Sequence, residues 1–171
     1  MTGARLAFRV PDSHHRGMTC TLVLMRHGKS DWSVDATDHE RPLTDRGRRQ
    51  AAEAGQWLEQ HGGAFERALV SSAERARHAW SLAAAELSVP PPVHIEERAY
   101  TFDGLELLAL VRALGEERRV VLVGHNPACE ELLDLLTGER PEMKTSALAV
   151  VHLEDWRSPG TLVTHGRPPP P

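Results

Sequence analysis

Short apolar runs alternate along the chain with longer stretches in which apolar residues recur at helical spacing. Thr21-Leu22-Val23-Leu24-Met25 is apolar enough for a strand covered on both faces. Beyond a polar loop, Ala51, Ala54 and Leu58 share one face of a predicted helix over 45–61, with Thr44 as N-cap and Gly62 as stop. A second strand is predicted at 67–71 and a second helix at 73–87, whose stripe is Ala76, Trp80, Ala83 and Leu87. Pro90-Pro91-Pro92 forces a loop before an extended run at 93–96. Asp103 with Glu106 resembles a capping box opening a helix that runs to Leu114. A strand follows at 119–123. Asn126-Pro127 then starts a helix with proline at its first position, ending at Gly138. Closing strands are predicted at 147–153 and 161–164.

This alternation predicts an α/β fold: a three-layer α/β/α sandwich around a mostly parallel sheet, with no stretch long enough for a large cap. One domain is expected over 18–165. Residues 1–17 show no periodicity and read as a flexible extension. Residues 166–171 end in four prolines and read as a disordered tail.

Composition narrows the field. The chain of 171 residues can bury a core without metal or disulfide staples, and its 20 basic against 24 acidic residues leave no basic excess for a nucleic-acid partner. Cys20 and Cys129 are expected to be reduced core thiols. No apolar run approaches a membrane span, and Arg9 interrupts the apolar start that a signal peptide needs, so a cytoplasmic location is expected.

In sheets of this kind, ligands bind beyond the carboxyl ends of the strands. Arg26-His27-Gly28 follows the first strand, Ser71-Ser72-Ala73-Glu74-Arg75 the second, and Gly124-His125-Asn126-Pro127 a later one. Three strand ends thus deliver two arginines and two histidines to one side. A single histidine after a strand is usually a packing or surface residue, but this set is hard to explain by packing. Buried guanidinium groups need an anion, and their planar fork suits phosphate. Helix starts after Ser72 and Asn126 would add N–H groups and positive dipole ends. A neutral imidazole is a good nucleophile toward phosphorus, and neighbouring arginines would keep it neutral while stabilising the equatorial oxygens in transfer.

On these segments the chain resembles the histidine phosphatase (phosphoglycerate mutase-like) superfamily. Leu24-Met25-Arg26-His27-Gly28 is similar to the family signature, Val70 through Ala76 to its second-arginine segment, and Val123-Gly124-His125-Asn126-Pro127 to its second-histidine segment. Arg41-Pro42-Leu43-Thr44-Asp45-Arg46-Gly47 resembles the lead into its first helix. The short chain and the Lys29-Ser30-Asp31-Trp32 continuation look most like the compact SixA-type phosphohistidine phosphatases. The resemblance implies His27 as the phosphohistidine-forming nucleophile, Arg26 and Arg75 as phosphate ligands, and His125 as a donor to a phosphoryl oxygen. Arg41 is implied as a further phosphate or substrate contact. No metal and no cofactor are implied. The expected substrate is phosphohistidine in a protein; a small phosphometabolite cleaved by a phosphomonoesterase on the same scaffold is the alternative, and a non-catalytic phosphate-binding module the third reading. A mutase lacks room for its cap.

Larger relatives carry an acidic general acid. Here Glu96, Glu97 and Asp103 are the candidates, with Glu97 first, against the plain alternative of solvated carboxylates. Lys29 reads as a solvated loop charge, and His14, His15 and His39 as surface residues.

Overall fold

The computed structural model describes residues 19–170. The extension expected over 1–17 and the last proline lie outside them. Strands β1 (Cys20–Arg26), β2 (Arg67–Ser71), β3 (Val93–Glu96), β4 (Arg119–Gly124), β5 (Leu148–Leu153) and β6 (Gly160–Gly166) form one sheet in the order β3-β2-β4-β1-β5-β6. The first four strands are mutually parallel; β5 runs antiparallel to β1, and β6 antiparallel to β5.

The continuous apolar run in β1 has a simple cause. Leu22 and Leu24 enter a core with α3 (Gly104–Arg112) and α4 (Ala128–Thr137), while Val23 and Met25 enter a second core with α1 (Asp45–His61) and α2 (Glu74–Ala84). Both faces of the strand are covered, which is the three-layer α/β/α arrangement. Small residues bring α1 and α2 close: a Cβ on Gly55 would stand 2.3 Å from the Ala83 carbonyl oxygen. Cys20 and Cys129 are both free and fully buried, and burial raises the Cys129 thiol to about 12. Among the described residues no helix is long and apolar enough to cross a membrane.

The helix ends show where local rules were overruled. Thr44 caps α1 by accepting from the Gly47 N–H at 3.0 Å, and Gly138 ends α4 in the left-handed region at φ 74°. α2 stops at Ala84 rather than Leu87, because the Glu86 and Leu87 amides bond three residues back and tighten the chain. The Leu114 amide does the same after α3. Asp103 caps α3 as expected, accepting from Leu105 N–H at 2.8 Å, but the reciprocal partner is not Glu106: the Asp103 N–H donates to Thr101. Pro127 is the cap of α4 rather than its first helical residue.

The segment from Gly166 also departs from expectation. Gly166 is the last residue of β6, paired with Leu148; Arg167 donates to Thr145 at 3.4 Å, and Pro169 is buried. Residues of β6 alternate between exposed and half-buried, so the edge strand carried too weak an apolar signal to show its full length.

Candidate active site

The parallel strands β2, β4 and β1 lie side by side, so their carboxyl ends share one rim of the sheet. A cleft of about 230 Å3 opens there, and Arg26, His27, Arg41, Arg75 and His125 all line it. The structure therefore brings together the three arginines and two histidines singled out in the sequence, although they span nearly 100 positions.

β1 ends at Arg26, and the turn after it needs glycine: a Cβ on Gly28 would stand 2.6 Å from the Gly47 carbonyl oxygen at the start of α1. That close approach holds His27 against its neighbours. Its Nδ1 lies 2.7 Å from the Gly28 carbonyl, which can only accept, so Nδ1 carries the proton. The lone pair is left on Nε2, where the Arg75 Nε–H donates to it at 3.3 Å. His125 has the opposite arrangement. Arg75 donates to its Nδ1 at 3.3 Å, and its Nε2–H donates to Ser71 Oγ at 2.7 Å. The two imidazole centroids stand 4.9 Å apart.

Arg75, only 2% exposed, lies in the first turn of α2 and commits four of its five N–H groups within the protein, which leaves one on Nη1. Besides both imidazoles it donates to the Asp38 backbone carbonyl and, at 3.2 Å, to the Asp38 carboxylate. Arg26 donates to the Met143 carbonyl at 2.9 Å, and Arg41 to Asp38 at 2.7 Å while stacking on Trp32 at 3.3 Å. The buried Nε–H groups of Arg26 and Arg41 have no acceptor among the described residues. Not every expected donor is free. The Ala73 amide at the start of α2 bonds Ser71 Oγ and the Glu74 amide bonds the His39 carbonyl, so α2 offers its dipole more than its first N–H groups.

Burial dominates the titration of both histidines. His27 is held well below the usual imidazole range by desolvation, then by His125 and the arginines; desolvation and Arg75 push His125 down to about 3. Both are neutral at neutral pH. In the unfolded chain the same imidazoles titrate near 6.5, so below that pH the unfolded state binds more protons and native stability falls as pH falls. Melting temperature is therefore expected to drop between pH 7 and pH 5, with a smaller drop in His125→Asn; an unchanged slope would remove this account of the pair.

The acid candidates are not in the cleft. Glu97 is exposed on the short 3-10 turn Glu97–Ala99, Glu96 bonds Arg98, and Asp103 caps α3. Three residues after Glu97, Tyr100 turns inward and donates its hydroxyl to Asp38, the one carboxylate lining the cleft among the described residues. The Tyr100 bond, followed by Arg75 and Arg41, holds the Asp38 carboxyl below its usual range. Asp38, Tyr100 and Phe102 carried no sequence signal, because they sit in aperiodic loops. His39 is not a plain surface residue: it is half-buried, bonded to Ser72 at 2.9 Å and edge-on to Tyr100. Lys29 is exposed as expected, yet lines the cleft mouth with the exposed rings of Trp32 and Phe102.

Among the described residues no group of three or more histidine, cysteine or acidic side chains could hold a metal ion. Residues 22–101 match the model of the histidine phosphatase superfamily (branch 1). An uncharacterized protein of Mycobacterium tuberculosis (strain ATCC 25618 / H37Rv) is 34% identical over 113 residues, covering 66% of this chain and 69% of that protein. A candidate phosphohistidine phosphatase SixA from Nakamurella multipartitia superposes with a TM-score of 0.78 at 27% identity, over 88% of this chain and 96% of its own. The protein histidine phosphatase SixA complexed with tungstate gives 0.77 at 29% identity, over 85% and 95%.

Proposed function

Because the chain belongs to the histidine phosphatase superfamily and is a phosphatase, we propose that it transfers the phosphoryl group of phosphohistidine in proteins to His27 and then to water. The observation that carries this reading is the state of Asp38. The one carboxylate lining the cleft among the described residues is held ionised by Tyr100, Arg75 and Arg41, so it is a poor general acid. An alkyl phosphate leaves as an alkoxide and needs such an acid, a contribution of roughly 10²–10⁴-fold. A phosphohistidine leaves as an imidazole, which can depart already protonated. The mouth also suits that group, since exposed Trp32 and Phe102 offer rings beside which a flat leaving group on a protein surface can lie.

In this mechanism the His27 Nε2 lone pair bonds phosphorus while the bond to the leaving imidazole breaks. Arg26 and Arg75 hold the equatorial oxygens, Arg41 contributes from beside Trp32, and their fixed positive charge does the work that a metal does elsewhere. His125 donates to a phosphoryl oxygen with a proton taken up from solvent at Nδ1 as the dianion binds, the Arg75 N–H that bonded Nδ1 turning to the phosphoryl group. Water then bonds phosphorus, the bond to His27 breaks, and inorganic phosphate leaves.

Matched specificity constants test the reading. Phosphohistidine and aryl phosphates are expected to outrun alkyl phosphates by roughly 10²-fold or more. Glu97→Gln is expected to be mild, activity to persist in excess chelator, and tungstate, the oxyanion bound by the SixA neighbour, to compete with substrate. A preference of about tenfold for an alkyl phosphate, worth ~1.4 kcal/mol in the barrier, would replace this reading with the small-molecule phosphomonoesterase.

A further inference from the structure

A second cleft of about 390 Å3 adjoins the catalytic one and shares Arg26, Lys29 and Thr145 with it. Its charge is lopsided: Arg26, Lys29, Arg46, Lys144 and Arg167 line it against the single carboxylate of Glu142. The chain as a whole carries a net charge of -4, so this strip reverses the average. Its cations come from the loop after β1, the first turn of α1, the segment before β5 and the chain just after β6. Lys29, Arg46, Lys144 and Arg167 make no ion pair among the described residues, whereas Arg48, two residues after Arg46, pairs with Asp45.

We infer that this basic strip docks acidic side chains of the protein that presents the phosphohistidine. The inference rests on the proposed function and adds what lies around the phosphorylated residue. A second phosphate of a small substrate fits the strip less well. Lys29, Arg46 and Lys144 are exposed on flexible stems, and a carboxylate stands among them, whereas a cradle for a small dianion needs buried, converging donors. Exposed cations spread over a wide cleft suit a macromolecular face, where they steer encounter and set orientation. The shared Arg26 and Lys29 make the strip continuous with the cleft, so a residue docked there lies beside the reacting phosphoryl group.

Two synthetic peptides carrying phosphohistidine, one flanked by glutamates and one by serines, test the inference, with an aryl phosphate as baseline. The glutamate peptide is expected to show roughly tenfold higher kcat/KM at low salt, mostly through KM. The advantage is expected to collapse near 1 M salt, where the screening length is about 3 Å. The double variant Arg46→Glu, Lys144→Glu should erase the preference while aryl phosphate turnover stays within about twofold of the parent, a change too small to signal lost transition-state contacts. If both peptides are cleaved with equal kcat/KM, or if the variant keeps the preference, the strip does not dock acidic side chains. If neither peptide is cleaved while the aryl phosphate is, the phosphohistidine reading itself falls, and this inference with it.

Discussion

Replacing His27 with alanine is expected to cut kcat by roughly 10⁴-fold or more, the scale seen when a covalent nucleophile is removed. No other group in the cleft offers the same atom. His27 Nε2 holds a lone pair because Nδ1–H is committed to Gly28, whereas on His125 it is Nε2 that carries the proton, given to Ser71, and only Nδ1 keeps a lone pair; both lone pairs lie 3.3 Å from an Arg75 nitrogen. The variant should keep its fold, since the lost imidazole bonds only a neighbouring carbonyl and Arg75. Rapid quench with labelled substrate should trap an acid-labile phosphoenzyme in the parent and none in the variant. Residual turnover of a few per cent with label still on the protein would place the nucleophile elsewhere.

The second large effect is expected at Arg75→Lys, in which the charge is kept. One lysine ammonium cannot reach His27, His125 and both acceptors of Asp38 from a single position. Two losses combine: a planar donor to the phosphoryl oxygens, and the clamp that keeps Asp38 and both imidazoles in place. Removing one preorganised donor in such a site costs about 3–4 kcal/mol, which is a fall of roughly 10²–10³ in kcat/KM. Arg41→Lys should cost less, because Arg41 touches only Asp38 and Trp32 in the cleft. Phosphate affinity measured beside the rate decides the matter; an Arg75→Lys protein with both unchanged would show that this guanidinium does not meet the substrate.

The strand ends explain why so much of this site could be read before any coordinates. Strands covered on both faces announce themselves as apolar runs, and parallel packing obliges their carboxyl ends to share a rim, so Arg26, His27 and His125 were placed by β1 and β4 alone. Arg75 followed because it lies in the first turn of α2, four residues after the end of β2. The strand order itself was not legible, since an apolar run does not name its neighbour. Nor was the choice of carboxylate. Glu97 and Tyr100 are three residues apart on one tight turn, and a turn without period gives no sign of which side faces inward. Asp38 was hidden for a related reason: its position comes from Arg75 and Tyr100, which are distant in sequence. The shortfall of the tail reading, at Gly166 and Pro169, belongs to an edge strand, where half the pattern faces solvent whatever the pairing.

The anchoring of the cleft divides it into parts that can change at different rates. Arg26, His27, Arg75 and His125 are fixed at the ends of three adjacent inner strands, where the two cores tolerate little. Trp32, Asp38, Tyr100 and Phe102 sit on the two connections that run from β1 to α1 and from β3 to α3. Length and sequence can drift in those connections with little cost to the sheet, apart from the tether between Asp38 and Arg75. The architecture is modular in this sense: a site fixed on the sheet with exchangeable walls. Grafting other connections onto these strands would retarget the chain to a different leaving group without rebuilding the nucleophile.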